Sequence, residues 1–337
     1  MITKIFNKKS VLITGGTGSF GKSFLETLQK NFKCSRIILY SRDELKQSEI
    51  QNKYKDQNLR FFIGDVRDKE RLNLAMRNVD IVVHAAAMKQ IPASEYNPTE
   101  CIKTNIYGAQ NVIECCIKNK VKKVIALSTD KAVSPINLYG ATKLASDKLF
   151  VSANNIVGKE NTKFSVVRYG NVIGSRGSVL PFFKKLIKEK KNYFPITDRE
   201  MTRFWFEMKD AIQFVLNSFV LMRGGEIFVP KIPSINMVDL AKSLNPNYKI
   251  KIIGKRPGEK LHEVMCPKDE YEKVIEFKKY FVITPSITFG SAKNFNYFKS
   301  LKGEKGKMVK KNFEYHSGIN KDFLNINQIM KLNKKYN

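Results

Sequence analysis

The stretch that decides the fold of this chain is Ser10-Val11-Leu12-Ile13-Thr14-Gly15-Gly16-Thr17-Gly18-Ser19-Phe20-Gly21. A short apolar run with the character of a buried strand leads directly into the pattern GxxGxxG, formed by Gly15, Gly18 and Gly21. Glycine at these positions permits a tight turn, close approach of the backbone to a pyrophosphate, and close packing of the following helix on the sheet. A helix predicted over Phe20–Lys30 then offers its first N–H groups to the phosphate. Strand, glycines and helix in this order predict a dinucleotide site, which also includes Thr17, Ser19 and Phe20.

Further apolar runs alternate with helical segments along the first half of the chain. The predicted strands after the first are Arg36–Tyr40, Arg60–Ile63, Asp80–His84, Lys123–Leu127 and Phe164–Arg168. This alternation predicts an α/β fold with a doubly wound parallel sheet and a smaller α/β lobe for a substrate. We assign residues 1–172 and 206–231 to the dinucleotide-binding domain, and 173–205 and 232–337 to the substrate-binding domain. Residues Phe323–Leu332 form a predicted amphipathic helix that packs back or meets a partner subunit.

The end of the second strand predicts which dinucleotide is bound. An acidic residue for a ribose 2′-hydroxyl is typical of NAD sites, but this strand is followed by Ser41 and Arg42, with Lys46 one helical turn later. A hydroxyl and two cations suit a 2′-phosphate, so the sequence favours NADP. Asp43 leaves the NAD alternative open, because it could contact the ribose or cap the next helix.

Small and polar residues follow other strands at the edge where ligands bind in doubly wound folds. Asp65 and Val66 are predicted to flank the adenine ring. The small side chains of residues 85–87 let the backbone approach the cofactor, and a polar residue on the following helix links that helix to the strand. The predicted members of this group are Ala85, Ala86, Ala87, Lys89 and Asn105.

The catalytic prediction rests on Tyr139 and Lys143, which are four residues apart and share a helical face if a helix begins near Tyr139. A nearby ammonium is expected to lower the pKa of the phenol and make it a general base. Taken alone, the pair is weak evidence, because Tyr and Lys four residues apart usually form a solvated helix face. Three polar residues, Thr129, Asp130 and Lys131, interrupt the fifth strand just before this helix.

Composition excludes several other classes of protein. The 337 residues contain 42% hydrophobic residues, typical of a globular chain, and no run reaches the ~20 apolar residues of a membrane span. The five cysteines and three histidines have no metal-binding spacing, so no metal site is predicted. A formal charge of +29 attracts polyanions, but the lysines form no stripe and no nucleic-acid motif is present. We predict a cytoplasmic protein without a membrane or a specific nucleic-acid partner.

The glycine loop, the alanines after the fourth strand and Tyr-x-x-x-Lys together resemble the extended short-chain dehydrogenase/reductase superfamily. Within it, the chain resembles the inverting UDP-N-acetylglucosamine 4,6-dehydratases, which open the pseudaminic acid route of flagellin glycosylation. The matching stretches are residues 15–21, 41–47, 85–89, 129–131, 139–143, 168–177 and 256–263. The most specific residue is Lys131, because retaining sugar 4,6-dehydratases carry Thr-Asp-Glu where this chain has Thr-Asp-Lys.

The resemblance implies a reaction and a set of site residues. Tyr139 takes the proton of the 4-hydroxyl as hydride leaves C4 for NADP⁺, Lys131 removes the C5 proton, and Asp130 protonates the leaving 6-hydroxyl. Hydride then returns to C6, and protonation at C5 from the opposite face gives UDP-2-acetamido-2,6-dideoxy-β-L-arabino-hex-4-ulose. The implied substrate-binding residues are Lys89, Tyr139, Asn171, Val179, Thr197, Met201, Arg203, Arg256 and Glu259. A homo-oligomer, either hexamer or dimer, is also implied.

Three alternatives follow from the residues. Arg203 and Arg256 either grip the substrate pyrophosphate by bidentate pairing or are ordinary surface charges. A UDP-sugar 4-epimerase would need Tyr139, Lys143 and the cofactor but no acid and base at positions 130 and 131. A non-catalytic Rossmann binding protein would need none of them. For the dehydratase, burial is expected to lower the pKa of Lys131 and to keep the Asp130–Lys131 pair neutral.

Overall fold

The secondary structure is that of an α/β protein, and the computed structural model describes residues 1–158, 160–289 and 295–336. The strands are β1 (Ser10–Thr14), β2 (Arg36–Ser41), β3 (Leu59–Ile63), β4 (Ile81–His84), β5 (Lys123–Thr129), β6 (Lys163–Tyr169), β7 (Asn171–Val172), β8 (Tyr193–Ile196), β9 (Thr202–Phe206), β10 (Ile227–Pro230), β11 (Ser234–Asn236), β12 (Lys249–Ile252), β13 (Val264–Cys266), β14 (Val274–Glu276), β15 (Tyr280–Ile283), β16 (Lys307–Met308) and β17 (Tyr315–His316). The α-helices are α1 (Ile2–Phe6), α2 (Ser19–Asn31), α3 (Glu44–Lys53), α4 (Lys69–Ala75), α5 (Ile91–Tyr96), α6 (Pro98–Ile102), α7 (Gly108–Lys118), α8 (Leu138–Ser152), α9 (Val179–Lys188), α10 (Met208–Leu221), α11 (Met237–Leu244) and α12 (Ile326–Asn333).

Ten strands form one large sheet, in the order β16-β14-β15-β10-β6-β5-β4-β1-β2-β3. The strands from β3 to β10 pair in parallel, and the order 3-2-1-4-5-6 is that of dinucleotide-binding folds. The carboxyl ends of β1 and β4 therefore meet where the strand order reverses. This topology confirms the predicted doubly wound parallel sheet.

Helices cover the sheet because the parallel strands are apolar on both faces. All five residues of β1 are buried. The helical spacing of the apolar residues in α2 places Phe24, Leu25 and Leu28 on the face that packs in the core. The short helix α1, which the sequence did not predict, adds a buried Phe6 whose ring packs edge-on against Phe24 and Phe219. This aromatic cluster joins α1, α2 and α10.

A second core lies beside the large one and is built from two short sheets, β11-β9-β7 and β12-β8, and the helices around them. Its buried side chains are Ile173, Leu180, Phe183, Phe194, Ile196, Met201, Trp205, Ile235, Met237, Leu240, Ala241 and Ile329. The amphipathic helix predicted near the C-terminus is α12, and Ile329 packs it back on this second core.

The division of the chain differs from the predicted one after residue 232. The apolar strands β14 and β15 form an antiparallel hairpin whose second strand pairs with β10, and β16 continues the same sheet. Met265, Cys266 and Tyr315 also belong to the main core. Much of the stretch predicted for the substrate lobe therefore extends the dinucleotide-binding sheet, because its buried strands find an unpaired edge at β10. Among the described residues, no helix has the length and apolar character to cross a bilayer.

Candidate active site

A cavity of about 1180 Å³ opens at the carboxyl edge of the large sheet, between the two cores. Every residue predicted for catalysis, cofactor binding or substrate binding lines it, with the exception of Asn105. Residues that are far apart in the chain, from Gly15 to Glu263, share this one space. The predicted convergence of strand ends on a single cleft is therefore observed.

The glycine loop has the shape of a phosphate cradle. Gly15 has φ of +65°, and a Cβ there would lie 2.9 Å from the backbone of Ala86. A Cβ on Gly21 would lie 2.5 Å from the carbonyl oxygen of Gly16, so the start of α2 is pressed against the loop. Gly18 caps α2 without a side-chain hydrogen bond, and no acidic residue occupies the first turn. The first turn of α2 can thus receive a pyrophosphate on its N–H groups, and the residues present fit a dinucleotide.

The cations after β2 are each paired with a carboxylate. Arg42 lies 3.5 Å from Asp65, and Lys46 forms an ion pair with Asp43. Asp43 also accepts the N–H of Lys46 and so caps α3, which is the second of the two roles considered for it. The hydroxyl of Ser41 accepts a hydrogen bond of 3.0 Å from Gln47. A 2′-phosphate at this position would replace one carboxylate partner of Arg42 or Lys46.

Asn105 supports the loop after β4 and is fully engaged with protein groups. Its amide accepts the N–H of Met88 at 2.8 Å, donates to the carbonyl of Met88 at 2.9 Å, and donates to the hydroxyl of Thr142 at 3.0 Å. It lies in a π-helical turn, Lys103–Tyr107, between α6 and α7. The structure therefore places Asn105 behind the cavity wall, where it joins the alanine loop to α8. Its influence on a cofactor would pass through that loop.

Tyr139 and Lys143 lie on the buried face of α8, which begins at Leu138 after Asn137 caps it through the N–H of Gly140. The expected lowering of the pKa of Tyr139 is wrong for this structure. Burial raises the pKa of Tyr139 to about 12, against the opposing effects of the Lys131 charge and a hydrogen bond with Thr129. Burial also lowers the pKa of Lys143, and the Asp147 carboxylate opposes that change.

The residues after β5 form an acid–base cluster with a member that the sequence analysis missed. The ammonium of Lys131 lies 3.0 Å from Asp130 Oδ1 and 3.2 Å from Glu263 Oε1. Asp130 is fully buried, and Thr129 donates to the same oxygen at 3.0 Å. Arg203 Nε lies 3.7 Å from Glu263 Oε1, so two cations face two carboxylates.

The pKa of Lys131 moves in the direction opposite to the one expected from burial. Burial favours the neutral amine, but the carboxylates of Asp130 and Glu263 outweigh it and raise the pKa of Lys131 above its usual value. The expected depression is therefore wrong, because the sequence shows one carboxylate next to Lys131 and the fold supplies a second. The matching stretch 256–263 contained Glu263, but no local pattern connects it with Lys131.

The two arginines predicted for the substrate differ in their surroundings. Arg203 is buried and donates to the carbonyls of Thr202 at 2.7 Å, Leu261 at 3.0 Å and Lys260 at 2.9 Å. Arg256 is 70% exposed and lies 2.9 Å from Glu259. Arg203 thus stabilises the segment that carries Glu263, whereas the exposed guanidinium of Arg256 donates to both carboxylate oxygens of Glu259.

The remaining predicted substrate residues line the side of the cavity next to the second core. Thr197 donates to Glu259 at 3.0 Å, and Met201 is buried in that core. Val179 is the first residue of α9. Asn171 lies in β7, and its buried side-chain oxygen has no hydrogen-bond partner among the described residues. Lys89 donates to the carbonyl of Arg176 at 3.1 Å.

The strand order, the glycine cradle and the buried Tyr139–Lys143 pair define a nicotinamide-dependent enzyme of the extended short-chain dehydrogenase/reductase superfamily. Residues 11–285 match the family described as "Polysaccharide biosynthesis protein", and the chain belongs to this family.

Three known proteins are similar over nearly the whole chain. The sequence is 60% identical over 316 residues to the "UDP-N-acetylglucosamine 4,6-dehydratase (inverting)" of Campylobacter jejuni subsp. jejuni serotype O:2, covering 94% of both chains. It is 40% identical over 336 residues to the "UDP-glucose 4-epimerase" of Rickettsia bellii, covering 97% of this chain and 96% of the relative. The X-ray structure of Pen from Bacillus thuringiensis superposes with a TM-score of 0.88 at 37% identity, covering 98% of each chain.

Proposed function

We propose that this protein is an NADP-dependent UDP-N-acetylglucosamine 4,6-dehydratase that inverts C5. The observation that carries the proposal is the buried Asp130–Lys131 pair, 3.0 Å apart and next to Tyr139 in the same cavity. An acid and a base at this place suit elimination of water from a 4-keto sugar. The identity of 60% with the C. jejuni dehydratase supports the same substrate.

Tyr139 is the proposed acceptor of the 4-hydroxyl proton, with Thr129 and Lys143 as its neighbours. A nicotinamide dinucleotide held by the glycine loop and by Ser41 and Arg42 would supply a hydride acceptor for the sugar and a positive charge in the cavity of Tyr139. The resting phenol holds its proton, because burial raises its pKa to about 12. Tyr139 therefore acts as a base only when added positive charge favours the phenolate.

The acid and base of the elimination step can arise together. Transfer of one proton from Lys131 Nζ to Asp130 Oδ1, across 3.0 Å, converts the ion pair into a neutral amine and a carboxylic acid. The amine then takes the C5 proton, and the acid protonates the leaving 6-hydroxyl. The cluster with Glu263 and Arg203 has no net charge before or after that transfer, so no proton has to be exchanged with solvent.

The cofactor and the cellular setting belong to the same proposal. Arg42 and Lys46 next to Ser41 favour NADP, because an arginine at this position can bind a 2′-phosphate. The second core, with Thr197, Arg256 and Glu259, would hold the UDP part of the substrate. We further propose a cytoplasmic homo-oligomer whose product enters the pseudaminic acid route of flagellin glycosylation.

A UDP-sugar 4-epimerase is the second candidate, because the Rickettsia bellii relative carries that name at 40% identity. Epimerisation uses Tyr139, Lys143 and the cofactor, but it gives no role to Asp130 and Lys131.

Incubation with UDP-N-acetylglucosamine and NADP, followed by mass spectrometry and NMR, separates the two candidates. Dehydration removes one water and, in heavy water, gives a product with deuterium at an inverted C5. A product of unchanged mass would refute the dehydratase proposal and favour epimerisation.

A further inference from the structure

Glu263 is a buried carboxylate that belongs to the acid–base cluster but has no role in the reaction described above. Its side chain is 2% exposed, and Oε1 lies 3.2 Å from Lys131 Nζ and 3.7 Å from Arg203 Nε. Burial of a carboxylate is costly unless it is paired, so its presence beside Lys131 calls for a physical reason.

The backbone of Glu263 is fixed on both sides. Its N–H donates to the hydroxyl of Ser317 at 2.8 Å, and its carbonyl accepts the N–H of Ser317 at 2.8 Å. The next residue starts β13, which pairs with β17. Arg203 is held in turn by three carbonyl groups, those of Thr202, Leu261 and Lys260. The carboxylate of Glu263 therefore has a defined position, whereas Lys131 has a long and flexible side chain.

Only one oxygen of Glu263 is used. Oε2 is buried and has no hydrogen-bond partner among the described residues, whereas Oε1 faces both Lys131 and Arg203. A carboxylate with a purely structural role is expected to have both oxygens satisfied. The geometry thus directs the charge of Glu263 at the ammonium of Lys131.

Several other charged or titratable groups act on Lys131. These groups are Asp130 on the same turn, Tyr139 on α8, Lys89 in the loop after β4, Arg203 on β9, and Lys260 and Glu263 in the segment before β13. Asp130 and Glu263 are the two carboxylates among them within 4 Å of Nζ. Asp130 directly precedes Lys131 in the chain, so Glu263 is the carboxylate that ties Nζ to a distant segment, the one before β13.

We propose that Glu263 is a positioning residue for Lys131: its carboxylate holds the ammonium in the cavity of the resting enzyme and controls how readily Lys131 releases its proton. This inference rests on the proposed role of Lys131 as the C5 base. Glu263 itself need not touch the sugar.

The direct test is the reactivity of Lys131 toward acetic anhydride, read by peptide mass spectrometry, since only the neutral amine reacts. Glu263→Gln keeps the size of the side chain and removes the charge. At a fixed pH near 9, acetylation of Lys131 should rise about tenfold for each unit by which its pKa falls. Lys143, buried on α8, is the internal control and should react as in the native protein.

Glu276→Gln is the matched control variant, because Glu276 pairs with Lys231 and Lys307 on the large sheet outside the cavity. Glu276→Gln should leave the acetylation of Lys131 as it is in the native protein. Equal acetylation of Lys131 in the native protein and in Glu263→Gln would overturn the proposal, and so would a rise that Lys143 shares. If Glu263→Gln does not fold, Glu263→Asp, which moves the charge away from Nζ, should raise the acetylation of Lys131 in the same direction by a smaller factor.

The pH dependence of enzyme turnover is a second test, and it distinguishes failure of this inference from failure of the proposed function. In Glu263→Gln, loss of the carboxylate charge lowers the proton affinity of the Asp130–Lys131 pair as a unit, so the ascending limb of dehydration against pH should move to lower pH by about one unit or more, while reduction of the cofactor by substrate persists. An unmoved limb would contradict the role of Glu263. If the native enzyme does not dehydrate UDP-N-acetylglucosamine, the proposed function fails, but acetylation still decides whether Glu263 controls Lys131.

Discussion

Replacement of Lys131 by alanine is the most informative perturbation, because it affects both stability and one chemical step. The change removes the ammonium that lies 3.0 Å from Asp130 and 3.2 Å from Glu263. Asp130 is fully buried and Glu263 is 2% exposed, so both carboxylates lose their nearest cation in a place that water hardly reaches. Arg203, at 3.7 Å from Glu263, remains as partial compensation.

The size of the stability loss follows from the burial of the carboxylates. Removal of one partner from a buried ion pair costs about 3–5 kcal/mol. Because the Lys131 side chain is 21% exposed and Arg203 remains, we expect the lower end, about 3 kcal/mol in the free energy of unfolding near neutral pH.

Urea unfolding near neutral pH measures this loss, with Lys148→Ala as the control. Lys148 pairs with Glu270 at 3.2 Å but is 56% exposed, so its replacement should change stability by less than about 1 kcal/mol. An equally small effect of Lys131→Ala would refute the reasoning about the buried cluster.

The same variant tests the chemistry. Tyr139, Lys143 and the cofactor site are unchanged, so the sugar should still reduce the cofactor, and a 4-keto sugar should accumulate. Incorporation of solvent deuterium at C5 should stop together with loss of water. If the variant dehydrates the sugar at an ordinary rate, Lys131 is not the base.

Three further changes have expected outcomes. Tyr139→Phe removes the proton acceptor and should lower turnover at least about 100-fold with little change in substrate binding; near-normal turnover would assign the proton to another group. Arg42→Ala should weaken binding of NADP by about 1.5–3 kcal/mol and that of NAD much less, as measured by calorimetry, and equal losses would argue against a 2′-phosphate contact. Burial, aided by the Lys143 charge, lowers the pKa of His84 to about 3 in the folded protein. The neutral ring therefore contributes stability that is complete above the pKa of His84 in the unfolded chain, and this stability is lost as the pH falls below about 6.5. Between about pH 7 and about pH 5 this loss should be about 2 kcal/mol, and His84→Gln should flatten that part of the stability curve.

The sequence by itself determined the features that depend on local patterns. The strand before Gly15, the i,i+4 spacing of Tyr139 and Lys143, and the polar residues after β5 are each encoded within a few neighbouring positions. Their convergence also followed from sequence, because parallel strands bring their carboxyl ends to one edge. For this reason nearly all predicted site residues line one cavity, although their individual roles remain predictions.

Only the tertiary structure decided the charge states and the partners. Burial raises the pKa of Tyr139, and the carboxylates of Asp130 and Glu263 together outweigh burial and raise that of Lys131. Of these two carboxylates, Glu263 is distant in the chain and reaches Lys131 only through the fold. The position of Asn105 behind the cavity wall and the pairing of β15 with β10 also depend on packing between distant segments. Desolvation and Coulomb interactions act through space, so a local sequence pattern can name an ionisable residue without fixing the field that sets its proton affinity.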